Sequence, residues 1–332
     1  MDSNRIVGGI AAAEWKVLSN KEDSAVFFTQ EQEGKPIILR VYSREMPAYE
    51  AVRQRPCAGL PRIYDCRWEN GLFFVREQFI DGISLQEMID GGELGKLKRV
   101  NWIITDWYRT QFYYDSGAWR ATWAGEGGGV LLNQCPHQLD LVQWLCGMPC
   151  RVRAFLHEGK WHDIEVEDDV TAYLEYPNGA TGVFITTTGD APGTNRLEIS
   201  GEMGKIVCEN DKLTFYHNKV SDIEFCKSAT AGFDKPECEI VQVETDGRNL
   251  QHVEVLNRFA AAILRGEALV ANGREGINGL TLSNAMHLSS WLDKTVDLPF
   301  DEDLYLAELN KRRATSRAKE DKGITLNTEG SY

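Results

Sequence analysis

The stretch Gly127-Gly128-Gly129-Val130-Leu131-Leu132-Asn133-Gln134-Cys135-Pro136-His137-Gln138-Leu139-Asp140-Leu141 decides how this chain is read. Helical spacing through residues 129–146 gathers Leu131, Cys135, Leu139, Val142 and Cys146 into one apolar stripe. Asn133, His137, Asp140 and Trp144 fall together on another face. Pro136 removes a backbone donor, so it either kinks the helix or opens the regular part at its first position. Histidine is the side chain on that face whose ordinary pKa, about 6.5, suits proton transfer near neutral pH. Spacing alone favours a plainer role for His137, as a hydrogen-bonding group inside the fold.

Outward from this stretch the pattern becomes more specific. Three glycines, three residues, Asn133, three residues, His137, two residues and Asp140 resemble the substrate domain of the Gfo/Idh/MocA oxidoreductases, in which Asp usually stands at the position of Asn133. Trp119-Arg120 and the whole run from residue 92 to about 313 are similar to the same domain. The resemblance implies that His137 accepts a hydroxyl proton with Asn133 as its hydrogen-bonding neighbour. It also implies that Arg120, Asp140 and Trp119 support a sugar, polyol or related substrate, and that NAD or NADP takes the hydride. The aromatic run Trp107, Tyr108, Phe112, Tyr113 and Tyr114 either lines a sugar pocket or closes the core.

Period-two runs after the glycine stretch predict strands at 151–157, 170–176, 181–188, 197–200, 205–209 and 213–216, with a hairpin turn at Pro177-Asn178-Gly179-Ala180. The acidic region 221–246 reads as a long loop or irregular hairpin. Apolar residues Leu256, Phe259, Ala260, Ile263 and Leu264 mark an amphipathic helix ended by Gly266. A buried helix at about 275–291 and a charged one near 304–313 follow, then a polar tail.

Upstream the pattern changes. Strands are predicted at 15–18, 25–30, 37–42 and 73–79, with a helix at 47–54 that has Pro47 at its first position. Ile38-Leu39-Arg40-Val41-Tyr42, Ala48-Tyr49-Glu50-Ala51-Val52, Leu60-Pro61-Arg62-Ile63-Tyr64-Asp65 and Ile80-Asp81-Gly82-Ile83-Ser84-Leu85 resemble the small lobe of a protein kinase. Arg40 stands at the place of the phosphate-holding Lys, and Glu50 at that of its ion-pair partner. Arg does not reproduce the Lys geometry, so a plain Arg40–Glu50 ion pair is the expectation. Ser19-Asn20-Lys21-Glu22-Asp23 replaces the glycine-rich phosphate cover, and no His-Arg-Asp or Asp-Phe-Gly follows. Phosphoryl transfer therefore lacks its base and its Mg²⁺ ligand.

The expected fold is α+β. A kinase-small-lobe-like antiparallel sheet with a helix occupies 1–91, a domain with a large, mainly antiparallel open sheet backed by helices occupies 92–315, and 316–332 is the tail. A dinucleotide-binding Gly-x-Gly-x-x-Gly turn between strand and helix is not found; Gly8-Gly9 and Gly125-Glu126-Gly127-Gly128-Gly129 fail on spacing or context. Asp234-Lys235-Pro236 matches the family's catalytic Glu-Lys-Pro in letters only. The leading reading is an oxidoreductase chain without its own cofactor domain, inactive alone. The alternatives are a noncatalytic binding or scaffold protein, and a fusion of two partial genes near Gly91.

The 332 residues carry a net charge of −14, which argues against nucleic acid or an anionic membrane as partner. Eight cysteines without a Cys-x-x-Cys pair suit a reduced, cytoplasmic compartment. The six histidines lack metal-ligand spacing, so no metal is expected. Uncovered apolar surfaces on both parts predict a homo-oligomer or an NAD-binding partner chain.

Overall fold

The computed structural model describes residues 15–20, 23–30, 36–54, 62–78, 85–90, 92–243, 251–266, 268–269, 271–320 and 323. Lys21, Glu22, Leu60, Pro61, residues 80–84, Gly8-Gly9 and Gly91, on which several sequence readings rest, lie outside them. Contacts group residues 1–83 with 244–268, and residues 84–243 with 269–332.

In the first unit, β1 (Lys16–Asn20), β2 (Ser24–Gln30), β3 (Pro36–Tyr42), β4 (Ile63–Glu69) and β5 (Leu72–Gln78) form an antiparallel sheet of order β1-β2-β3-β5-β4, with α1 (Pro47–Gln54) between β3 and β4. Asn70 and Gly71, at φ 51° and 78°, join β4 to β5. Both residues take the left-handed conformation that an Asn-Gly hairpin turn requires. Ala25, Phe27, Leu39, Val41 and Phe74 form one apolar cluster, and Ile63, Phe73 and Val75 another.

The expected Arg40–Glu50 pair is not formed. Arg40 Nε donates to Glu77 Oε1 at 2.6 Å, while Glu50 accepts from Arg53 at 2.5 Å and from Gln54 at 3.0 Å. The pleat explains the exchange. Arg40 lies opposite Val75, so Glu77, two residues on, shares its face. Glu77 is only 4% exposed and needs a counter-charge, whereas Glu50 meets Arg53 one helical turn away.

The second unit begins with α2 (Leu85–Asp90), β6 (Leu97–Ile104), α3 (Gln111–Asp115), α4 (Val130–Asn133) and α5 (Pro136–Cys146). It continues through β7 (Arg151–Glu158), β8 (Glu167–Glu175), β9 (Thr181–Thr187), β10 (Asn195–Gly201), β11 (Gly204–Glu209), β12 (Lys212–Asn218), α6 (Asp222–Ser228) and β13 (Cys238–Val243). Helix α7 (Gln251–Arg265) groups with the first unit, whereas the sequence pattern placed it within 92–315. Back in the second unit come α8 (Gly276–Trp291), β14 (Val296–Asp297) and α9 (Glu302–Ala314). Of the two readings of the acidic region, the described residues 221–243 form the irregular hairpin: a short helix, α6, leads to the edge strand β13, which pairs antiparallel with β12.

The nine strands run β13-β12-β11-β10-β6-β9-β8-β7-β14, and among the described strands only β6 and β9 pair in parallel. Alternation puts Val100, Trp102, Ile104, Ala172, Leu174, Phe184 and Ile199 into one core. Phe155 and Tyr173, on β7 and β8, stay 53% and 41% exposed. Helices α5 and α8 contribute Leu139, Val142, Leu282, Ala285 and Met286 to that core. No described helix is long and apolar enough to cross a membrane.

Candidate active site

The glycine stretch is held from below by a buried carboxylate. Both Glu167 oxygens accept from the Gly129 N–H at 2.9 Å, and Oε1 also accepts from Leu131 N–H at 3.1 Å. Glu167 and His287 are both 0% exposed, with His287 Nε2 3.0 Å from Glu167 Oε2 and His287 Nδ1 2.9 Å from the Ser283 carbonyl. A Cβ on Gly129 would stand 2.0 Å from the Glu167 carbonyl oxygen, so the close approach requires glycine there.

From this anchor the chain makes one turn, α4, breaks at Gln134 and Cys135, and restarts with Pro136 as the first residue of α5. The second of the two geometries allowed by Pro136 is therefore the one adopted. Leu131, Cys135, Leu139 and Val142 are buried, while Asn133, His137, Asp140 and Trp144 are exposed. Burial pushes the Cys135 thiol up to about 12, so this cysteine packs rather than reacts.

His137 is the second residue of α5. It borders a pocket of about 490 Å³ together with Leu132, Pro136, Asp140, Asn272 and Glu275. Asp140 Oδ1 accepts from Gln143 Nε2 at 2.9 Å, and Gln143 Oε1 accepts from Asn278 of α8 at 3.1 Å. Ser283 lines the same pocket with its hydroxyl buried and without a partner among the described residues.

Asn133 belongs to a second polar cluster. Tyr113 Oη donates to Asn133 Oδ1 at 3.0 Å and accepts from Arg120 Nη1 at 2.8 Å. The Asn133 amide donates to Glu126 Oε1, and Glu126 Oε2 accepts from the Ala121 N–H at 2.7 Å. Burial holds the Glu126 carboxyl above the ordinary carboxylate range, against the opposing pull of those two donors and of Arg120. The Arg120 guanidinium carbon lies 4.5 Å from the centroids of both the Tyr113 and Trp119 rings.

The residues singled out from the sequence thus divide. Arg120, Trp119 and Asn133 gather around Tyr113, whereas His137 and Asp140 share the pocket beside α8. Of the aromatic run, Tyr114 closes a core with Ala121, Trp123 and Ile164, while Tyr108 and Phe112 are exposed and do not line the pocket beside His137.

Sequence reasoning missed Glu126, Tyr113 as an organiser, and the buried pair Glu167 and Asp168. Asp168 accepts from the backbone N–H groups of Lys160, Trp161 and His162 at 2.9, 2.9 and 3.1 Å. His162 sets Nδ1 3.0 Å from Asp168 Oδ2 and donates through Nε2 to the Arg109 carbonyl at 2.9 Å. The signal present in the sequence is the run Glu165-Val166-Glu167-Asp168-Asp169, acidic residues set into an alternating strand. Lys235 is exposed between α6 and β13. No group of three or more metal-capable side chains occurs among the described residues.

A nicotinamide dinucleotide needs free backbone donors at a glycine turn. The N–H groups of Gly129 and Leu131 are already taken by Glu167. These two N–H groups are therefore not free for a pyrophosphate.

Residues 83–207 match the GFO/IDH/MocA C-terminal domain. The WlbA dehydrogenase of Bordetella pertussis, solved with NADH and UDP-GlcNAcA, is 25% identical with a TM-score of 0.50 over 65% of this chain and 59% of that one. Its counterpart from Chromobacterium violaceum, solved with the same two molecules, is 28% identical with a TM-score of 0.51 and the same coverages. Levoglucosan dehydrogenase with NADH and levoglucosan, 19% identical over 65% of this chain and 62% of that one with a TM-score of 0.51, shares the fold. An uncharacterized protein of Sinorhizobium fredii, y4oX, is 24% identical over 160 residues, 46% of this chain and 42% of that protein. The chain thus spans less than two thirds of these relatives' lengths.

Proposed function

We propose that the second unit is the substrate half of an oxidoreductase acting on a hydroxyl of a sugar or polyol. The observation that carries the reading is His137, exposed on the first turn of α5, lining a pocket and four residues from an Asn133 fixed by Tyr113 and Glu126. An imidazole nitrogen of His137 takes the hydroxyl proton, Asp140 borders the substrate on the same side, and Asn133 with Arg120 orients its polar groups. The structural neighbours were solved with NADH, which supports NAD or NADP as the hydride acceptor. The occupied Gly129 turn supports a pyrophosphate site elsewhere than at this turn.

The second reading, a noncatalytic binding or scaffold protein, is favoured by the antiparallel five-stranded sheet in the amino-terminal unit. The kinase-like lobe proposed for that unit is compatible with a scaffold and not with phosphoryl transfer, since Arg40 is committed to Glu77.

Adding a dinucleotide-binding domain from a relative, fused or in trans, to the purified chain distinguishes the two. Reduced-cofactor absorbance is followed with a panel of sugars and polyols. Turnover that falls by about 10²–10⁴ in His137→Ala is expected. Sugar binding by calorimetry without any turnover would leave the scaffold reading.

A further inference from the structure

We infer that the substrate carries an anionic group, a carboxylate or phosphate, received by Arg120 and Arg109; this rests on the sugar-hydroxyl reading above. The half-buried arginines of the second unit are Arg109, Arg120, Arg153, Arg196 and Arg312. Arg153 pairs with Asp293, Arg196 with Glu198 and Glu209, and Arg312 with Glu308. Arg109 and Arg120 have no carboxylate within 4.0 Å among the described residues, in a chain of net charge −14.

Their surroundings hold them in place without neutralising them. Arg120 lies against the rings of Tyr113 and Trp119, and the Arg109 guanidinium carbon is 5.3 Å from the Tyr113 centroid and 5.9 Å from that of Trp107. Ring contacts fix a guanidinium's plane and leave its edge free to donate. Arg120 uses Nη1 on the Tyr113 hydroxyl, and Arg109 uses Nη1 on the Trp107 and Tyr108 carbonyls. Of five N–H donors on each side chain, most remain open, in the fork geometry that matches two anionic oxygens. Glu126 is the nearby acid that lowers the charge seen from Arg120, but its two oxygens already serve Ala121 and Asn133.

The fork is tied to the reacting region. Arg120 reaches Asn133 through the Tyr113 hydroxyl, and Asn133 precedes His137 by four residues. The backbone beneath is stiffened from two sides: His162 donates to the Arg109 carbonyl, and Lys319 Nζ donates to the Tyr114 and Arg120 carbonyls at 2.7 and 3.1 Å.

The test is calorimetric binding of glucose, glucuronate and glucose 6-phosphate to the full chain at neutral pH and low salt. Glucuronate or the phosphate is expected to bind at least tenfold tighter than glucose, and whichever does so identifies the anion. That advantage should shrink as salt rises and vanish in Arg120→Gln, while Arg120→Lys, which keeps charge but loses the fork, retains part of it. Arg109→Gln should reduce it less. Equal affinities for all three sugars, or an advantage undiminished in Arg120→Gln, would overturn the inference and leave the sugar-hydroxyl reading standing. If none of the three binds, both fail. Urea unfolding midpoints of the variants that match wild type show that the fold is intact.

Discussion

Glu126 couples a charge to the geometry of the candidate site. Its carboxyl is lifted by burial although it accepts from Ala121 and Asn133 and lies in the field of Arg120. A carboxyl whose folded pKa exceeds its unfolded value of about 4.3 binds more protons in the folded state across the window between the two. Stability from this group is therefore lost as pH rises through that window and stays lost above it. Urea unfolding of wild type and Glu126→Gln across the acid range should show the variant gaining on wild type as pH rises, with the difference closing below pH ~4. A difference that moves the other way would mean that the hydrogen bonds, not burial, dominate.

Among the elements, α8 does most to seat the site, because it touches the glycine anchor, the pocket and the sheet. Its His287 stands against Glu167, its Asn278 donates to Gln143, and its Ser289 and Ser290 hydroxyls accept from the Ala154 and Leu156 N–H groups of β7 at 2.9 and 3.1 Å. Ser289→Ala removes the acceptor of a buried backbone donor, which should lower stability by about 1–3 kcal/mol. Ser290→Ala should lower it less, since its bond is only part-buried and water can replace the hydroxyl. Urea midpoints at constant m-value measure both.

Across the whole molecule, apolar surface remains uncovered in each unit. On α7, Leu256, Phe259, Ile263 and Leu264 are 66%, 54%, 69% and 77% exposed, and on the large sheet Phe155 is 53% exposed. Such faces favour association. Light scattering is expected to report a mass above 37.4 kDa that falls in the double variant Phe259→Lys, Ile263→Lys. A stable monomer at high concentration would show that these faces tolerate water.

Local periodicity in the sequence determined by itself which residues of the glycine stretch turn inward. The wheel separates Leu131, Cys135, Leu139, Val142 and Cys146 from Asn133, His137, Asp140 and Trp144, and the structure buries the first set except Cys146, which is half-buried, and exposes the second. Pro47 opens α1, Pro136 opens α5 and Gly266, at φ 66°, follows α7, because each of these residues acts on its own few neighbours. Partner choice was different. Arg40 takes Glu77 instead of Glu50, Gly129 takes Glu167 from 38 residues away, and Arg120 has no carboxylate within 4.0 Å among the described residues. Those outcomes depend on strand register and on which carboxylates lose water, and both are settled only when distant segments pack.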